Sequence, residues 1–220
     1  MSGPALVGVI PLSALERAKS RLAGVLSPEE RRALALWLTG RTLAALRESG
    51  VVERVAVVSP NAEALAWAAS EGATPLAQPG SGLNAGLALA RAWAVRQEAG
   101  ALLIALGDLP LLSADEVRRF VAMGRLHQRL ITLAPDRARD GTNLLLARPP
   151  ALAPLAYGRG SFARHRRLAR RAGMPVLLFR SPGAAFDVDQ PANLDELIAA
   201  GLWRPARSAA TGAAIMREDI

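Results

Sequence analysis

The sequence predicts an α/β protein with a doubly wound, mostly parallel sheet. Short runs rich in Val, Ile and Leu alternate with longer Ala-, Leu- and Arg-rich segments of helical period, which is typical of repeated strand–helix–strand units. The run 101–106 is apolar throughout, as expected of a central strand buried on both faces. We therefore predict three layers, with helices on both sides of one sheet.

Each predicted element has a local signal. Ser27-Pro28-Glu29-Glu30 supplies an N-cap, a first-turn proline and first-turn acids, and Asn61 caps a second helix. Strands are predicted at 6–11, 54–59, 74–76, 101–106, 130–134, 143–147 and 176–179, and helices at 27–50, from 61, and at 83–100, 113–123, 161–172 and 191–200. No linker or repeat interrupts the pattern, so we expect a single domain over 1–203 and a loose C-terminal tail over 204–220.

The composition excludes several classes of protein. There is no cysteine and there are only two histidines, which excludes disulfides, thiolate chemistry and a histidine-rich zinc site. Arg, Asp, Gly or Pro interrupts every apolar run, and the N-terminus lacks signal-peptide character, so we expect a cytoplasmic protein without a membrane partner. The net charge of +8 is spread over helices and few aromatics accompany it, which favours small anionic substrates over nucleic acid. The oligomeric state stays open, a homodimer being one option.

The first candidate motif follows the first predicted strand. It comprises Ile10-Pro11-Leu12 and the segment from Arg17 to Leu22, and it contains Lys19, the only lysine among 27 basic residues. Because open α/β sheets bind ligands beyond the carboxyl ends of their strands, Lys19 is well placed to neutralise phosphate charge. The alternative is a solvated basic turn. The segment is not a Walker A loop, since no Gly-Lys-Ser/Thr follows a glycine-rich stretch.

The second motif is the glycine-rich entry to a predicted helix, Gly80-Ser81-Gly82-Leu83-Asn84. Its glycines permit close approach of the backbone, and free N–H groups at the helix start suit a phosphate or a base edge. The carboxamide of Asn84 carries both a donor and an acceptor and can read a purine. A helix entry that binds no ligand would have a similar sequence.

The third motif is a set of three aspartates. Asp108 follows the central strand, and Asp187 and Asp189 stand two apart in Asp-Val-Asp, so both can face one site if that segment is extended. Carboxylates placed in this way can hold Mg²⁺ against the phosphates of a nucleoside triphosphate, and their mutual repulsion itself argues for a cation between them. The alternative for Asp-Val-Asp is a turn and helix cap before Pro191.

The fourth motif has two parts, 140–143 (Asp-Gly-Thr-Asn) and 157–165 (Tyr-Gly-Arg-Gly-Ser-Phe-Ala-Arg-His). Both place glycines and small hydroxyl groups next to the start of an element, and the second opens a basic helix. This pattern predicts a second anion site. A glycine hairpin and an N-capped helix would explain the glycines alone. We interpret His165 as a substrate or structural contact rather than as a general base.

Taken in order, Ala-Lys-Ser-Arg-Leu, Gly-Leu-Asn, Gly-Asp-Leu-Pro, Asp-Gly-Thr-Asn, Gly-Ser-Phe and Asp-Val-Asp resemble one family over about residues 5–200. It is the family of 2-phospho-L-lactate or phosphoenolpyruvate guanylyltransferases of coenzyme F420 biosynthesis. The resemblance implies a nucleotide-diphospho-sugar-transferase-like fold, GTP as substrate and Mg²⁺ as cofactor. It implies transfer of GMP to a small phosphorylated carboxylic acid with release of pyrophosphate.

The motifs and the resemblance together give a set of predicted site residues. The catalytic residues are Lys19 and Asp108, and the metal ligands are Asp108, Asp187 and Asp189. The nucleotide-binding residues are Pro11, Leu12, Lys19, Arg21, Ser59, Gly82, Leu83 and Asn84. The phospho-acid-binding residues are Thr142, Asn143, Gly158, Ser161 and His165.

Two positions depart from the family pattern. Ser13 stands where the family often has a second lysine, and Arg159 stands between two glycines where a smaller residue is common. The sequence does not decide between phosphoenolpyruvate, 2-phospho-L-lactate and 3-phosphoglycerate as acceptors. The rival hypotheses are another nucleotidyltransferase of this fold, of molybdenum-cofactor guanylyltransferase or cytidylyltransferase type, and a nucleotide-binding regulator without activity. The first lacks support because no Gly-Gly-x-Ser-x-Arg loop follows the first strand.

Overall fold

The computed structural model describes residues 5–205 and contains one seven-stranded sheet between two layers of helices. All of the predicted tail except Arg204 and Pro205 lies outside the described residues. The strands are β1 (Leu6–Pro11), β2 (Arg54–Ser59), β3 (Thr74–Ala77), β4 (Ala101–Ala105), β5 (Leu130–Pro135), β6 (Thr142–Arg148) and β7 (Val176–Leu178).

The strands are arranged in the order β3-β2-β1-β4-β6-β5-β7. Only β6 runs antiparallel to its neighbours, and the other strand pairs in the sheet are parallel. The predicted α/β class with a mostly parallel, mixed sheet is therefore confirmed. The order places the carboxyl ends of β1, β2, β3 and β4 side by side along one edge of the sheet.

The helices are α1 (Pro28–Glu48), α2 (Ala62–Ser70), α3 (Leu83–Arg96), α4 (Ala114–Ala122), α5 (Ser161–Arg171), α6 (Pro182–Ala185) and α7 (Pro191–Ala199). Short 3₁₀ turns occur at Leu15–Arg17, Ser20–Leu22 and Pro150–Leu152. Both sequence-derived caps are present: Ser27 forms a capping box with Glu30, and the Asn61 side chain accepts a hydrogen bond from the Ala64 amide.

Hydrophobic side chains fill both faces of the sheet. Along β1, Leu6 and Ile10 enter the core under α1, α2 and α4, whereas Val7 and Val9 enter the core under α3 and α5. This alternation follows from the two-residue period of a strand. A third apolar cluster joins α1 to α7 and includes the fully buried Val188. It anchors the Asp-Val-Asp segment against the rest of the fold.

Two predictions of local structure were wrong. The third helix ends at Arg96 rather than at residue 100, because Glu98 adopts a left-handed conformation (φ 53°) and the Ala99 amide bonds back to the Ala94 carbonyl. The four-residue helix α6, which Ser181 caps, was not predicted, since one helical turn has no periodic pattern to detect. None of the helices between residues 5 and 205 is long and apolar enough to span a bilayer.

Candidate active site

A cavity of about 500 Å³ opens at the carboxyl ends of β1, β2, β3 and β4. This is the edge of an open parallel sheet where ligands are expected to bind. Its walls are formed by Pro11, Leu12, Ser13, Ala14, Arg17, Ala18, Lys19, Ala35, Thr39, Val58, Pro60, Gln78, Ser81, Gly82, Leu83, Leu106, Gly107, Asp108 and Asp189. One part of the wall is charged and the rest is neutral or apolar, so the cavity can accept a molecule with a charged and an uncharged end.

Lys19 is held at the charged part of the cavity. The buried side chains of Ala18 and Leu22 fix the loop on either side of it, and its own backbone adopts a left-handed conformation with φ 50°. Such a conformation costs a non-glycine residue about 1 kcal/mol, and it persists only where the surrounding structure imposes it. The Lys19 ammonium Nζ lies 2.7 Å from Asp108 Oδ2 and 3.5 Å from Asp189 Oδ1.

The charge of Lys19 is secured by its neighbours. Burial alone lowers the pKa of Lys19, but attraction from Asp108 and then from Asp189 outweighs burial, so that the pKa is raised above its ordinary value. Lys19 is therefore cationic at neutral pH. A compact, permanently charged ammonium in this position can contact the phosphates of a nucleotide.

Contacts from α1 position the turn that carries Asp108. The Thr39 hydroxyl donates to the Ala35 carbonyl at 2.8 Å and also lies 3.3 Å from the Gly107 carbonyl, and the Leu109 amide donates to Thr42 Oγ1 at 3.4 Å. Gly107 allows this approach, because a Cβ there would stand 2.9 Å from Thr39 Oγ1. The Val188 amide donates to the Asp108 carbonyl at 3.2 Å, which brings the Asp-Val-Asp segment alongside.

The side chain of Val188 is buried, whereas the flanking Asp187 and Asp189 are both partly exposed. Asp189 contacts both Lys19 and Arg21. Burial, followed by repulsion from Asp108, raises the pKa of Asp187 to about 6, although a hydrogen bond with Asn143 partly opposes the rise. Asp108, Asp187 and Asp189 thus lie in one region of the molecule, and their assignment as metal ligands stays a prediction.

The chemistry of these carboxylates fits a divalent cation. Asp108 Oδ1 is buried and has no hydrogen-bond partner, and Asp187 is destabilised as an anion by burial and then by repulsion from Asp108. Both observations describe negative charge without full compensation, which a cation would supply. In the described chain Lys19 lies between Asp108 and Asp189, and no group of three or more acidic or histidine side chains in residues 5–205 is arranged as a finished metal site.

Five of the eight predicted nucleotide-binding residues line the cavity: Pro11, Leu12, Lys19, Gly82 and Leu83. The other three lie elsewhere. Arg21 is largely exposed and pairs with Asp189, and Ser59 is fully buried, with its hydroxyl accepting a hydrogen bond from the Asn61 amide.

Asn84 differs most from its predicted role. Its Nδ2 donates to the Tyr157 carbonyl at 3.1 Å, and its Oδ1 accepts from the Tyr157 amide at 2.8 Å. Both ends of the carboxamide are therefore engaged within the protein. The prediction that this side chain reads a purine edge is wrong for the conformation observed.

The predicted phospho-acid residues lie together around the start of α5. His165 is fully buried on this helix, and its Nδ1 lies 3.0 Å from Thr142 Oγ1. Ser161 is the first residue of the same helix, and Gly158 lies in the loop before it. Asp140 ties the two parts of the motif together, because its carboxylate accepts from the Gly160 amide at 3.0 Å.

His165 acts in this structure as a neutral structural side chain. Nε2 accepts a hydrogen bond from the Ala156 amide at 3.1 Å, so the ring proton resides on Nδ1 and is donated to Thr142. Burial and, secondarily, the charge of Arg164 lower the pKa of His165 to about 4. The prediction that His165 is not a general base agrees with this arrangement, in which both ring nitrogens are occupied.

Asn143 connects the phospho-acid residues to the carboxylates. Its Nδ2 donates to the Ala184 carbonyl at 3.0 Å, and its side chain also hydrogen-bonds Asp187. The second anion site predicted from sequence therefore adjoins the predicted metal ligands.

Comparison with protein families identifies the type of enzyme. Residues 6–208 match the family model described as guanylyl transferase CofC like. The chain belongs to this family. The predicted enzyme class, a guanylyltransferase that uses GTP, is confirmed with it, and nothing favours the molybdenum-cofactor, cytidylyltransferase or regulator hypotheses.

Named relatives agree with the family match. The chain is 49% identical to a phosphoenolpyruvate guanylyltransferase of Sphaerobacter thermophilus, over 87% of this chain and 91% of the relative. It is 42% identical to a protein of the same name from Rubrobacter xylanophilus, over 91% of this chain and 98% of the relative. It is 37% identical to a 3-phospho-D-glycerate guanylyltransferase of Phenylobacterium zucineum, over 82% and 84%.

Solved structures confirm the predicted fold. A nucleotidyl transferase from Methanothermobacter superposes with a TM-score of 0.63 at 15% identity, covering 89% of this chain and 96% of the other. A Desulfovibrio desulfuricans protein described as a nucleotide-diphospho-sugar transferase gives a TM-score of 0.66 at 18% identity, covering 87% and 85%. At these identities the likeness is one of fold alone.

Several residues of this guanylyltransferase site escaped sequence reasoning. Thr39 and Thr42 position the Asp108 turn from α1, and Gln78 lines the cavity beside Gly82. The threonines carried a detectable signal, since two hydroxyls three residues apart fall on the otherwise apolar buried face of α1. Gln78 had none, because a lone glutamine after a strand is common on any surface.

Proposed function

We propose that this guanylyltransferase transfers GMP from GTP to phosphoenolpyruvate and releases pyrophosphate. The observation that carries the reaction is the grouping of Lys19, Asp108 and Asp189 at one cavity, with Asp187 and the Thr142 region beside it. The choice of acceptor is supported by the two relatives named phosphoenolpyruvate guanylyltransferase that share 49% and 42% of aligned residues. The 3-phospho-D-glycerate enzyme, at 37%, makes that acid the main competitor.

The cavity suggests how GTP would bind. The triphosphate belongs at the charged part, near Lys19 and Arg17, and the guanosine extends toward Gln78 and Gly82 after β3. Because β3 and β4 are separated by β2 and β1, the ends of these two strands stand about 14 Å apart at about 4.8 Å per strand spacing. That distance gives the extended nucleotide room between Asp108 and Gln78.

The reaction would be an in-line displacement at the α-phosphorus. An oxygen of the acceptor phosphate forms the new bond to phosphorus, and the bond to the α–β bridging oxygen breaks, so that pyrophosphate leaves with the electron pair. The acceptor phosphate is already anionic at neutral pH and needs no strong general base. Lys19 would offset the negative charge of the triphosphate during this step.

Asp108, Asp187 and Asp189 are the residues that would hold Mg²⁺, by virtue of the uncompensated negative charge described above. When bound, Mg²⁺ supplies Lewis-acid neutralisation of charge at the transferred phosphoryl group. Lys19 would then exchange its carboxylate partners for phosphate oxygens. Its flexible four-carbon stem allows this movement without a change in the backbone.

The acceptor would bind between the start of α5 and the 140–143 loop. The hydroxyls of Thr142 and Ser161 can donate to phosphate or carboxylate oxygens, whereas the amides of Ser161 and Phe162 at the start of α5 already donate to the Gly158 and Asp140 carbonyls. Asn143, bonded to Asp187, marks the side of this region that adjoins the nucleotide. We also propose a cytoplasmic location, and a homodimer stays a prediction.

The test is pyrophosphate release from GTP with Mg²⁺, assayed with phosphoenolpyruvate, 2-phospho-L-lactate and 3-phospho-D-glycerate in parallel. We expect turnover with phosphoenolpyruvate and GTP, much less with ATP or CTP, and none for Lys19→Ala. Greater turnover with either of the other acids would show that this acid, and not phosphoenolpyruvate, is the acceptor. Lack of release with all three acids would refute the proposed function.

A further inference from the structure

Asn84 connects the two substrate regions of the molecule. It is the second residue of α3, directly after the glycine-rich loop that lines the nucleotide cavity. Its carboxamide accepts a hydrogen bond from the Tyr157 amide at 2.8 Å and donates one to the Tyr157 carbonyl at 3.1 Å. Tyr157 immediately precedes Gly158, at the start of the loop that leads into α5. The contact spans 73 positions of the sequence.

The segment that Asn84 binds, Ala156-Tyr157, is also held by residues of α5. The Ala156 amide donates to His165 Nε2 at 3.1 Å, and Arg164 Nε donates to the Ala156 carbonyl at 3.1 Å. Ala156 is thus fixed by α5, whereas Tyr157 is fixed by α3. Gly158 and Gly160 follow, with φ values of 119° and 71°, in an irregular loop that the Asp140 carboxylate holds at the Gly160 amide.

We propose that Asn84 is a positioning residue for the acceptor rather than a reader of the guanine base. By fixing the backbone at Tyr157, it sets the distance between the loop at 158–160 and the nucleotide loop at 80–82. This inference rests on the proposed function, because it assigns the 158–161 region to the acceptor acid. A misplacement of the acceptor relative to the α-phosphorus would weaken binding of the acid without changing the GTP cavity.

The primary test compares Michaelis constants for the two substrates. Asn84→Ala removes both hydrogen bonds to Tyr157, so we expect the KM for the acceptor acid to rise about tenfold while the KM for GTP changes less than about twofold. Asn84→Asp keeps an oxygen that accepts from the Tyr157 amide, but it places a carboxylate next to the Tyr157 carbonyl, which repels it. We expect the same changes in the two KM values. An aspartate in the first turn of a helix is favourable, which protects the fold of this second variant.

Gln78→Ala is the matched control. Gln78 Nε2 donates to the Gly82 carbonyl at 2.9 Å and lines the nucleotide cavity, so its loss should raise the KM for GTP and leave that for the acid unchanged. A rise in the KM for GTP with Asn84→Ala, no change in either constant, or an equal rise in both would each overturn the inference.

A second measurement separates this inference from the proposed function. In Asn84→Ala, amide hydrogen exchange measured by NMR should accelerate at Tyr157, whose N–H loses its acceptor, and stay slow at Ala156, which His165 still holds. If the wild-type chain releases no pyrophosphate, the proposed function fails. The exchange pattern would still show whether Asn84 holds the backbone at Tyr157. Unchanged exchange at Tyr157 would show that Asn84 does not hold this backbone, and the inference would fail.

Discussion

The Lys19 ammonium lies 2.7 Å from the Asp108 carboxylate, and this ion pair joins the loop after β1 to the end of β4. Its geometry depends on a compact cation, because only 10% of the Lys19 side chain is exposed and Asp189 approaches the same nitrogen at 3.5 Å. The same position holds the only lysine in a chain with 26 arginines. A guanidinium is planar and wider, so it would not fit the same buried position between Asp108 and Asp189 without moving them.

Lys19→Arg should therefore lower kcat/KM for GTP by about 100-fold, a loss of the size seen when one charge-stabilising donor is misplaced. The measurement is steady-state pyrophosphate release. Arg21→Lys is the matched control, since Arg21 contacts the same Asp189 from a largely exposed position, and it should cost less than about threefold. An unchanged kcat/KM in Lys19→Arg would show that net charge matters at this site and that the shape of the cation does not.

Asp189→Asn should raise the Mg²⁺ concentration that gives half-maximal activity by at least about tenfold. The reason is the loss of one of three carboxylates assigned to the ion, while Asp108 and Asp187 are retained. Activity is measured against Mg²⁺ concentration at saturating GTP, after the protein has been stripped with a chelator. Asp195→Asn, at an exposed position on α7, is the control. An unchanged Mg²⁺ dependence for Asp189→Asn would remove that residue from the set of ligands.

His165 should make the folded state sensitive to acid. Burial lowers its pKa to about 4, whereas a histidine in the unfolded chain titrates near 6.5, so between these values the unfolded state binds a proton that the folded state does not. The free energy of unfolding should therefore fall as the pH drops from about 7 to about 4, by up to about 1.4 kcal/mol per pH unit. His165→Gln should flatten this part of the profile, measured by urea unfolding.

The only other histidine provides the control for that experiment. His127 is exposed, and His127→Gln should keep the pH dependence of the wild type. If His127→Gln flattens the profile and His165→Gln does not, the buried neutral imidazole is not the source of the acid sensitivity.

Much of the fold could be predicted because its signals are local. The apolar runs predicted β1 and β2 to the residue and the other strands to within two residues, and the N-caps Ser27 and Asn61 predicted two helix starts, since both signals depend on near neighbours in sequence. The end of α3 was predicted too far along the chain, because a glutamate gives no sequence signal for the left-handed conformation that Glu98 adopts. The antiparallel direction of β6 is likewise a property of long-range pairing with β4 and β5.

The site was predicted less completely than the fold. Asp108, Asp189 and Lys19 were found because charged residues beyond strand ends are informative in an open sheet. Asn84 was assigned to the base because its short-range context is the nucleotide loop, yet its partner is Tyr157, which is distant in sequence. A carboxamide serves equally well for a base or for a backbone segment, so residue type alone does not distinguish these roles.

Gly86 offers a test of the nucleotide end of the cavity. It lies inside α3, where an added Cβ would stand 2.3 Å from Gln78 Oε1, so Gly86→Ala must displace the Gln78 side chain and break its bond to the Gly82 carbonyl. Stability should not fall, because alanine gains about 0.5–1 kcal/mol over glycine in a helix and the end of a glutamine side chain moves easily. The KM for GTP should rise about threefold to tenfold, by loss of one oriented polar contact.

Two further variants decide whether Gln78 transmits the effect of Gly86→Ala. Gly40→Ala, within α1, places its Cβ in ordinary contact with Trp67 at 3.6 Å and should raise the melting temperature without changing either KM. Gln78→Ala combined with Gly86→Ala should raise the KM for GTP no more than Gln78→Ala alone. The Cβ added at residue 86 then has no glutamine side chain to displace. Additive losses in the double variant would mean that Gly86 acts on the nucleotide through the α3 backbone, and the assignment of Gln78 to the guanosine end would then have to be abandoned.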